Sequence, residues 1–310
     1  MTAIWPVDPA DPDPSTLERA ANLLRAGRLV AFPTETVYGL GAVATDEIAV
    51  KAIFAAKGRP ATNPVIVHVA DPGDVLSVAA SWPDAAARLA AAFWPGPLTL
   101  VLPKRDDLPA VVTAGGPTVA VRCPDHPVAR ALLRAVGAPL AAPSANRSTE
   151  LSPTRAEHVL KGLDGRIDAI LDAGPCRAGL ESTVVDLSDG VRILRPGPIT
   201  ATMLERVVGP VGIGHAVEGI AKSPGLMAKH YSPRTPVMLA ADRAEAERLA
   251  GATGAVVDLG TDPTVAAANL YATLHALDDG RFDRIVVVRP PDSPDWAAVQ
   301  DRLRRAATPG

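Results

Sequence analysis

The chain has 310 residues, which is enough for two domains that each bury a core. Its formal net charge of -3 and aromatic content of 4% argue against a broad surface for nucleic acids or anionic membranes. The two cysteines, Cys123 and Cys176, lie far apart and outside any CxxC pattern, which argues against a disulfide framework or a cysteine-rich zinc site. The acidic, proline-broken start and the lack of a long apolar run predict a cytoplasmic protein without a signal peptide or membrane span.

The first predicted elements alternate between helices and strands. "STLERAANLLRAG" has Ser15 and Glu18 in capping-box spacing and an apolar face, so it predicts a helix that ends at Gly27. "RLVAF" predicts a buried strand, and "TDEIAVKAIFAAKG" predicts a second helix with Thr45 as its N-cap. The alternation continues through "RIDAILDAG", which predicts an α/β fold.

The later part of the chain predicts a second domain. Two β-rich runs flank Asp189-Gly190 and predict an antiparallel hairpin, so the first sheet should be mixed. Residues 210–235 are rich in glycine and proline without clear periodicity, which indicates a linker. The runs beyond it predict a small parallel α/β unit. The predicted organisation is a domain over 1–209, a linker over 210–235 and a C-terminal domain over 236–310.

Two short polar stretches could carry chemistry. Lys57 and Arg59 flank Gly58, and an extended chain there would point both cations to one side, as a polyphosphate site requires. An ordinary helix C-terminus that ends at Gly58 would explain the same residues. Ser144 and Asn146 follow a predicted strand, where a simple turn is the plainer interpretation.

Charged and polar residues inside apolar runs form a further group. Arg122 ends the strand "VAVR", and an arginine there is rarely buried without an anionic partner. Arg192 and Arg195 have opposite parity along the hairpin, so only one of them can face a buried site. His68 lies in an apolar strand, where a core histidine is commoner than a substrate contact. Ser152 precedes a proline and is predicted to be a helix N-cap.

Several familiar motifs do not occur. No GxSxG elbow, HExxH or GxxxxGK[ST] loop is found, so hydrolase, zinc-protease and Walker-type functions lack their usual anchors. The histidines show no metal-ligand spacing, and no structural metal is assigned. Gly39 and Gly41 match the dinucleotide fingerprint only in part. A dinucleotide-binding enzyme and an RNA-binding module without catalysis remain as alternatives.

The motifs taken together resemble one family. In chain order, "FPTETVYGLG", "KGRP" followed by "NPVIVHV", "VAVRCP", "PSAN", "ESTVVD" and "LRPG" are similar to YrdC-type threonylcarbamoyl-AMP synthases over about residues 15–205. "SPGLMAKHYSP" and the C-terminal α/β unit resemble the two-domain form of that family. The resemblance implies a twisted mixed sheet around a concave basic cavity, with a small Rossmann-like C-terminal domain.

The resemblance also implies a reaction. L-threonine, bicarbonate or CO2, and ATP with Mg²⁺ would give threonylcarbamoyl-AMP and pyrophosphate. The product would serve the threonylcarbamoyl modification of the tRNA adenosine next to the anticodon. The implied partners are these substrates and a downstream threonylcarbamoyl transferase that modifies tRNA; weak tRNA binding remains open, and no membrane is involved.

Site residues follow from the resemblance by position. The positions that match threonine contacts are Thr36, His68, Arg122, Ser144 and Ser182. The positions that match ATP contacts are Lys57, Arg59, Asn63, Thr118, Asn146, Ser152, Arg195 and Tyr231. Lys57 and Arg59 are expected to stabilise charge, with no covalent nucleophile and no metal ligand from the protein. Arg122 suits the α-carboxylate of threonine, because a guanidinium binds a carboxylate through two hydrogen bonds.

Two further expectations concern backbone and linker. Gly39 and Gly41 are expected to let the backbone approach bound threonine closely. The linker is expected to fold over the cavity as a lid, with Tyr231 near the nucleotide. A passive tether is the alternative for this segment.

Overall fold

The computed structural model describes residues 1–214 and 232–307. Within these ranges, eleven strands form one mixed sheet. Its strands are β1 (Ala3–Pro6), β2 (Val30–Phe32), β3 (Gly39–Val43), β4 (Ile66–His68), β5 (Leu98–Pro103), β6 (Thr118–Arg122), β7 (Leu140–Ala141), β8 (Ala169–Asp172), β9 (Thr183–Asp186), β10 (Arg192–Arg195) and β11 (Gly212–Ile213). The accompanying α-helices are α1 (Pro14–Arg25), α2 (Glu47–Lys57), α3 (Asp84–Phe93), α4 (Pro127–Val136), α5 (Ala156–Leu163) and α6 (Ala201–Val208), and a 3₁₀ helix spans Pro72–Ser77.

The larger sheet has the strand order β1-β8-β2-β3-β7-β4-β6-β5-β9-β10-β11. Strands β4 and β6 are parallel, whereas β5 and β6 are antiparallel, so the predicted mixed sheet is confirmed. The hairpin predicted at Asp189-Gly190 is the antiparallel pair β9 and β10. The edge strands β1 and β11 were not predicted; β1 pairs with β8, and β11 pairs with β10 inside the range assigned to the linker.

The starts of the first two helices differ from the prediction. The N-cap of α1 is Asp13, whose Oδ2 accepts a hydrogen bond from Thr16 N at 2.9 Å. Pro14 then occupies the first helical turn, where its missing N–H costs nothing. The N-cap of α2 is Asp46, whose Oδ1 accepts from Ala49 N at 3.0 Å. In both helices the aspartate carboxylate caps the first turn, and the predicted hydroxyl caps were wrong.

Helices cover both faces of the larger sheet. Val30 and Phe32 of β2 point to one face and pack with buried residues of α1 and α4. Ala31, between them, points to the other face and packs in a cluster that includes Ile53 of α2 and Leu89 of α3. A strand that is buried on both faces carries apolar residues at every position, which explains why "RLVAF" has no polar alternation.

The C-terminal unit is the small parallel sheet that the sequence predicted. Its strands are β12 (Val237–Ala240), β13 (Ala255–Val257) and β14 (Ile285–Val288), and its helices are α7 (Arg243–Ala250), α8 (Pro263–Leu277) and α9 (Ala297–Ala306), with a 3₁₀ turn at Pro294–Trp296. β14 lies between β12 and β13 and is parallel to both. None of the helices in the described ranges is long and apolar enough to cross a membrane.

Candidate active site

A cavity of about 500 Å³, counted with its open mouth, lies in the larger domain. The loop between β2 and β3, the ends of β4 and β6, the segment after β7 and the start of β9 all contribute to its lining. All five positions expected to contact threonine line it: Thr36, His68, Arg122, Ser144 and Ser182. Two positions expected to contact ATP, Arg59 and Arg195, line the same space. The structure thus brings seven of the candidate side chains together.

Hydrogen bonds fix the hydroxyl groups of the β2–β3 loop. Thr34 Oγ1 donates to the carbonyl of Val37 at 2.6 Å, so its single hydroxyl hydrogen is used there. Thr36 Oγ1 lies 2.8 Å from Thr34 Oγ1 and must therefore be the donor in that pair. Arg122 Nη1 donates to Thr36 Oγ1 at 2.8 Å. The hydroxyl oxygen of Thr36 can consequently only accept a further hydrogen bond from a ligand.

Arg122 has the anionic partner that a buried arginine requires. Its Nη2 lies 2.6 Å from Oε1 of Glu35, and both side chains are almost completely buried. Its Nε also donates to the carbonyl of Gly96 at 3.2 Å. Glu35 was not predicted as a site residue. The available signal was its position as the one carboxylate in "FPTETVYGLG", because a carboxylate in an apolar loop must be paired.

His68 lies beside Arg122 at the cavity. The two residues are register partners on the parallel strands β4 and β6. Burial, with the nearby charge of Arg122, lowers the pKa of His68 to about 3. The imidazole is therefore neutral at physiological pH, and it can exchange hydrogen bonds without adding a positive charge to the site.

Lys57 does not line the cavity, but its side chain contacts the backbone of Ser144, which does. It is the last residue of α2, and Gly58 follows as a left-handed C-cap with φ 61° and ψ 37°, so the chain is not extended there. The ordinary helix C-terminus at Gly58 is therefore confirmed, and the extended arrangement that would point Lys57 and Arg59 to one side does not occur. Lys57 Nζ donates to the carbonyl oxygens of Ser144, at 2.6 Å, and Asn146. Burial, and the charge of Arg59, lower its pKa well below the usual value.

The ATP positions Asn63, Thr118 and Asn146 are buried but do not line this cavity. Asn146 Nδ2 donates to the carbonyl of Glu150 at 2.7 Å, the backbone oxygen of Asn63 accepts from Arg59 Nε at 3.0 Å, and Thr118 begins β6, the strand that Arg122 ends.

Ser152 is not the predicted N-cap, because α5 begins at Ala156 after Arg155. Its hydroxyl donates instead to Oε1 of Glu181 at 2.5 Å. Tyr231 and most of the proposed lid lie outside the described residues.

The hairpin arginines behave as their parity predicted. Arg195 is buried and Arg192 is exposed. Arg195 donates from Nε and Nη2 to the carbonyl of Ser182, at 3.1 and 3.0 Å, and from Nη2 to its hydroxyl at 3.2 Å. These bonds fix the start of β9 against β10 at the cavity.

The two glycines of the β2–β3 hairpin have different roles. Gly39 lines the cavity, as expected for a close approach of the backbone to a ligand. Gly41 instead makes room for Phe32, because a Cβ added to it would lie 2.9 Å from Cε1 of that ring. The expectation that Gly41 serves the ligand is therefore wrong.

Comparisons with known families cover almost the whole chain. A family model described as "Telomere recombination" matches residues 22–197, and one described as "Threonylcarbamoyl-AMP synthase, C-terminal domain" matches residues 199–308. The threonylcarbamoyl-AMP synthase of Bacillus subtilis is 42% identical to this chain, over 99% of this chain and 98% of the relative. That of Pyrococcus abyssi is 42% identical over 93% of each.

Solved structures agree with the sequence relatives. The crystal structure of P. abyssi Sua5 complexed with L-threonine has a TM-score of 0.93 and 40% identity, and the match covers 99% of this chain and 98% of that one. Escherichia coli YciO, at 25% identity and a TM-score of 0.57, matches 64% of this chain and 96% of its own. The chain belongs to the threonylcarbamoyl-AMP synthase family, in the form that carries a C-terminal domain.

Proposed function

We propose that this chain makes threonylcarbamoyl-AMP and pyrophosphate from L-threonine, bicarbonate or CO2, and ATP. The proposal is supported by one observation: the five residues expected to contact bound threonine line the same cavity as Arg59 and Arg195. Family membership supplies the reaction, and the cavity offers groups that fit its substrates.

The threonine end of the cavity is rich in hydroxyl groups. Thr36 can only accept a hydrogen bond, so it pairs with a donor on the substrate, either the amine or the hydroxyl of threonine. Arg122 already pairs with Glu35, and its guanidinium is held in place when the threonine carboxylate arrives. A site built to satisfy a substrate hydroxyl rejects valine, because buried polar groups would then lack partners.

His68 contributes as a neutral group. A cationic imidazole would place a second positive charge beside Arg122 and repel the ammonium form in which threonine arrives, whereas the lowered pKa of about 3 keeps the ring uncharged. The same low pKa makes His68 a poor general base. We therefore assign it hydrogen bonding and substrate positioning rather than proton abstraction.

The reaction needs no covalent intermediate on the protein. The neutral amine of threonine bonds to the carbon of bicarbonate, and one amine hydrogen leaves with the bicarbonate hydroxyl as water. With CO2 the amine adds directly, and one amine proton passes to solvent. Either route gives a carbamate. A carbamate oxygen then attacks the α-phosphorus of ATP, and the bond to the bridging oxygen breaks with departure of pyrophosphate. Positioning and charge neutralisation are the main contributions of the protein.

Mg²⁺ is proposed to enter with ATP. In the part of the chain that the structure describes, no group of three histidine, cysteine or acidic side chains is arranged to hold a metal ion. Glu181, which lines the cavity, and Glu35, the partner of Arg122, both form ion pairs with arginines. The triphosphate oxygens would therefore hold Mg²⁺, which neutralises charge there, while Arg59 and Arg195 provide the cationic side chains of the cavity.

The product is a mixed anhydride of a carbamate and AMP, which reacts readily with water. An enzyme that transfers its threonylcarbamoyl group to tRNA would have to consume it promptly. We propose such a transferase as the functional partner, in the cytoplasm where tRNA is modified. Direct contact between tRNA and this chain is not part of the proposal.

Pyrophosphate release by the purified full-length protein tests the proposal. Reactions contain ATP, Mg²⁺ and bicarbonate with L-threonine, L-serine, L-valine or no amino acid. We expect release to require bicarbonate and to be fastest with L-threonine, with valine at least 100-fold slower. Equal release with valine would refute the hydroxyl-based specificity. Tight tRNA retention without ATP turnover, or saturable NADH binding, would instead favour the RNA-binding or dinucleotide alternative.

A further inference from the structure

The C-terminal unit packs directly against the rim of the cavity. One apolar cluster joins Val37, Leu151 and Leu180 of the larger domain to buried residues of α8 and α9. Val37 and Leu151 are chain neighbours of the site residues Thr36 and Ser152. The C-terminal unit therefore contacts the backbone segments from which the site is built.

The buried carboxylate of Glu181 is the polar centre of this contact. Its Oε2 accepts from Arg302 Nε at 2.7 Å and from the hydroxyl of Tyr271 at 3.1 Å. Its Oε1 accepts from the hydroxyl of Ser152 at 2.5 Å. Burial would raise the pKa of Glu181, but the charges of Arg302 and Arg195 and the hydrogen bonds outweigh it and lower this pKa to about 2. The carboxylate is thus ionised and joins donors from both domains.

Arg302 is itself held in one position. It is 1% exposed, and its Nη1 donates to the carbonyl of Pro196 at 3.1 Å and to Asp301 Oδ2 at 2.8 Å. Asp301 also accepts from Arg305 Nε at 3.0 Å. Pro196 directly follows Arg195. One guanidinium of the C-terminal unit therefore contacts both the "ESTVVD" and the "LRPG" segments of the cavity.

Ser152 is held by one contact within the larger domain and by one from the C-terminal unit. Its hydroxyl is bonded to Glu181, and its carbonyl oxygen lies 3.1 Å from Nε2 of His275 on α8. Ser182, which lines the cavity, is the chain neighbour of Glu181. The C-terminal unit thus contacts Ser152 directly through His275, and it contacts the cavity-lining Ser182 through its neighbour Glu181.

Docking of the two domains alone does not account for this arrangement. The apolar cluster already provides a docking surface. Taking a glutamate and an arginine out of water is costly, and replacing such a pair with apolar residues is often neutral or stabilising. Hydrogen bonds to charged groups are directional, and they fix geometry better than apolar contacts do. The pair therefore fits a positioning role.

We propose that Arg302 and Tyr271 of the C-terminal unit are positioning residues for the active site, acting through Glu181 on Ser152, Ser182 and Arg195. The proposal deepens the proposed function and rests on it. The C-terminal unit is accordingly part of the synthase machinery, although neither residue touches the substrates.

Steady-state kinetics of full-length variants test the proposal. The variants are R302M, E181Q, the double variant E181Q/R302M and Y271F, and the control is R248M, an exposed arginine of α7 that pairs with Glu245. The KM for ATP, the KM for L-threonine and kcat are measured at a temperature at which each variant is fully folded by circular dichroism. At that temperature a merely structural role leaves both KM values and kcat unchanged, because such a role acts only on the folded fraction.

We expect R302M to raise at least one KM by roughly 10- to 100-fold, because small displacements of positioned groups are costly. The double variant should be less impaired than the product of the two single effects, since a neutral glutamine leaves no unpaired buried charge. R248M should stay within twofold of the wild type. Both KM values of R302M within twofold of the wild type would overturn the proposal.

Y271F and direct binding measurements test the positioning role independently of the stability of R302M. If R302M does not fold, Y271F removes only a hydroxyl, and an unchanged KM for both substrates in that variant would overturn the proposal. Separate calorimetric titrations with ATP alone and with L-threonine alone compare the wild type with R302M, or with Y271F if R302M does not fold, without turnover. A wild type that binds ATP but does not release pyrophosphate would refute the proposed function, whereas equal ATP and threonine affinities in wild type and variant would refute the positioning role.

Discussion

Substitution of Gly197 by alanine should damage the cavity without touching a substrate. Gly197 follows Pro196, and a Cβ added to it would lie 2.3 Å from Thr183 N, 2.6 Å from Ser182 C and 2.8 Å from Glu181 O. These atoms belong to the backbone, so they cannot move aside as a flexible side chain does. Optimal contacts between carbon atoms lie about 3.5 Å apart, and the two segments must therefore separate by roughly 1 Å.

The magnitude follows from that displacement. Overpacking of this kind costs about 1–3 kcal/mol of stability. A misplacement of about 1 Å in a catalytic site lowers the rate by about 100-fold, which corresponds to about 2.7 kcal/mol of transition-state stabilisation. Because Arg195 and Ser182 are hydrogen-bonded across this contact, the loss should appear in kcat/KM for both ATP and threonine.

The assay is pyrophosphate release at varied threonine and ATP, together with thermal unfolding. G73A is the matched control, because Gly73 is exposed and an added Cβ would meet no atom within 4 Å. We expect G197A to lose about 100-fold in kcat/KM and G73A to stay close to the wild type. If kcat/KM of G197A stays within about threefold of the wild type and its melting temperature is unchanged, the predicted backbone clash does not displace the site.

Three further predictions concern buried charges. E35Q should leave Arg122 as an uncompensated buried charge and lower the free energy of unfolding by about 3–5 kcal/mol, as measured by urea titration. A loss below about 1 kcal/mol would contradict the buried ion pair. K57M should leave two carbonyls of the "PSAN" loop without a donor and destabilise by about 2 kcal/mol or more, measured by thermal unfolding, and unchanged stability would contradict that role. Burial is the chief cause that lowers the pKa of His158 and His275 from 6.5 to about 4, so the folded state binds fewer protons and stability should fall as the pH drops from about 6.5 to about 4. For two such shifts the loss between pH 7 and pH 5 is about 4 kcal/mol, and solvent screening of the partly exposed His158 reduces the expected loss for this stacked pair to roughly 3 kcal/mol. H158F should remove roughly half of this loss in urea titrations at the two pH values, whereas an undiminished loss would refute the assignment.

Much of the fold follows from periodicity in the sequence. The alternation of apolar runs and helical patterns correctly predicted the α/β class, the β9–β10 hairpin and the parallel C-terminal sheet. Strand β1 was missed because its four residues, "AIWP", end in proline and are only partly buried. The helix starts were missed because Asp13 and Asp46 were competing caps within one or two residues of the predicted hydroxyl caps.

The sequence predicted some of the site residues but not the contacts that hold them in place. The family motifs located the five residues expected to bind threonine, and these line one cavity because each motif stands at a strand end or in a loop beside it. The sequence could not show that Lys57 turns toward backbone carbonyls, since that depends on the left-handed conformation of Gly58. Nor could it pair Glu181 with Arg302 across 121 positions, because only the docking of α9 brings them together.

Detection of threonylcarbamoyl-AMP itself is the most direct test of whether this chain makes it. The purified protein is incubated with ATP, Mg²⁺, L-threonine and ¹³C-labelled bicarbonate, and the nucleotides are analysed at once by mass spectrometry. We expect an adduct of AMP that contains threonine and one labelled carbon, formed together with pyrophosphate. ATP turnover that yields no species containing AMP, threonine and the label together would contradict it.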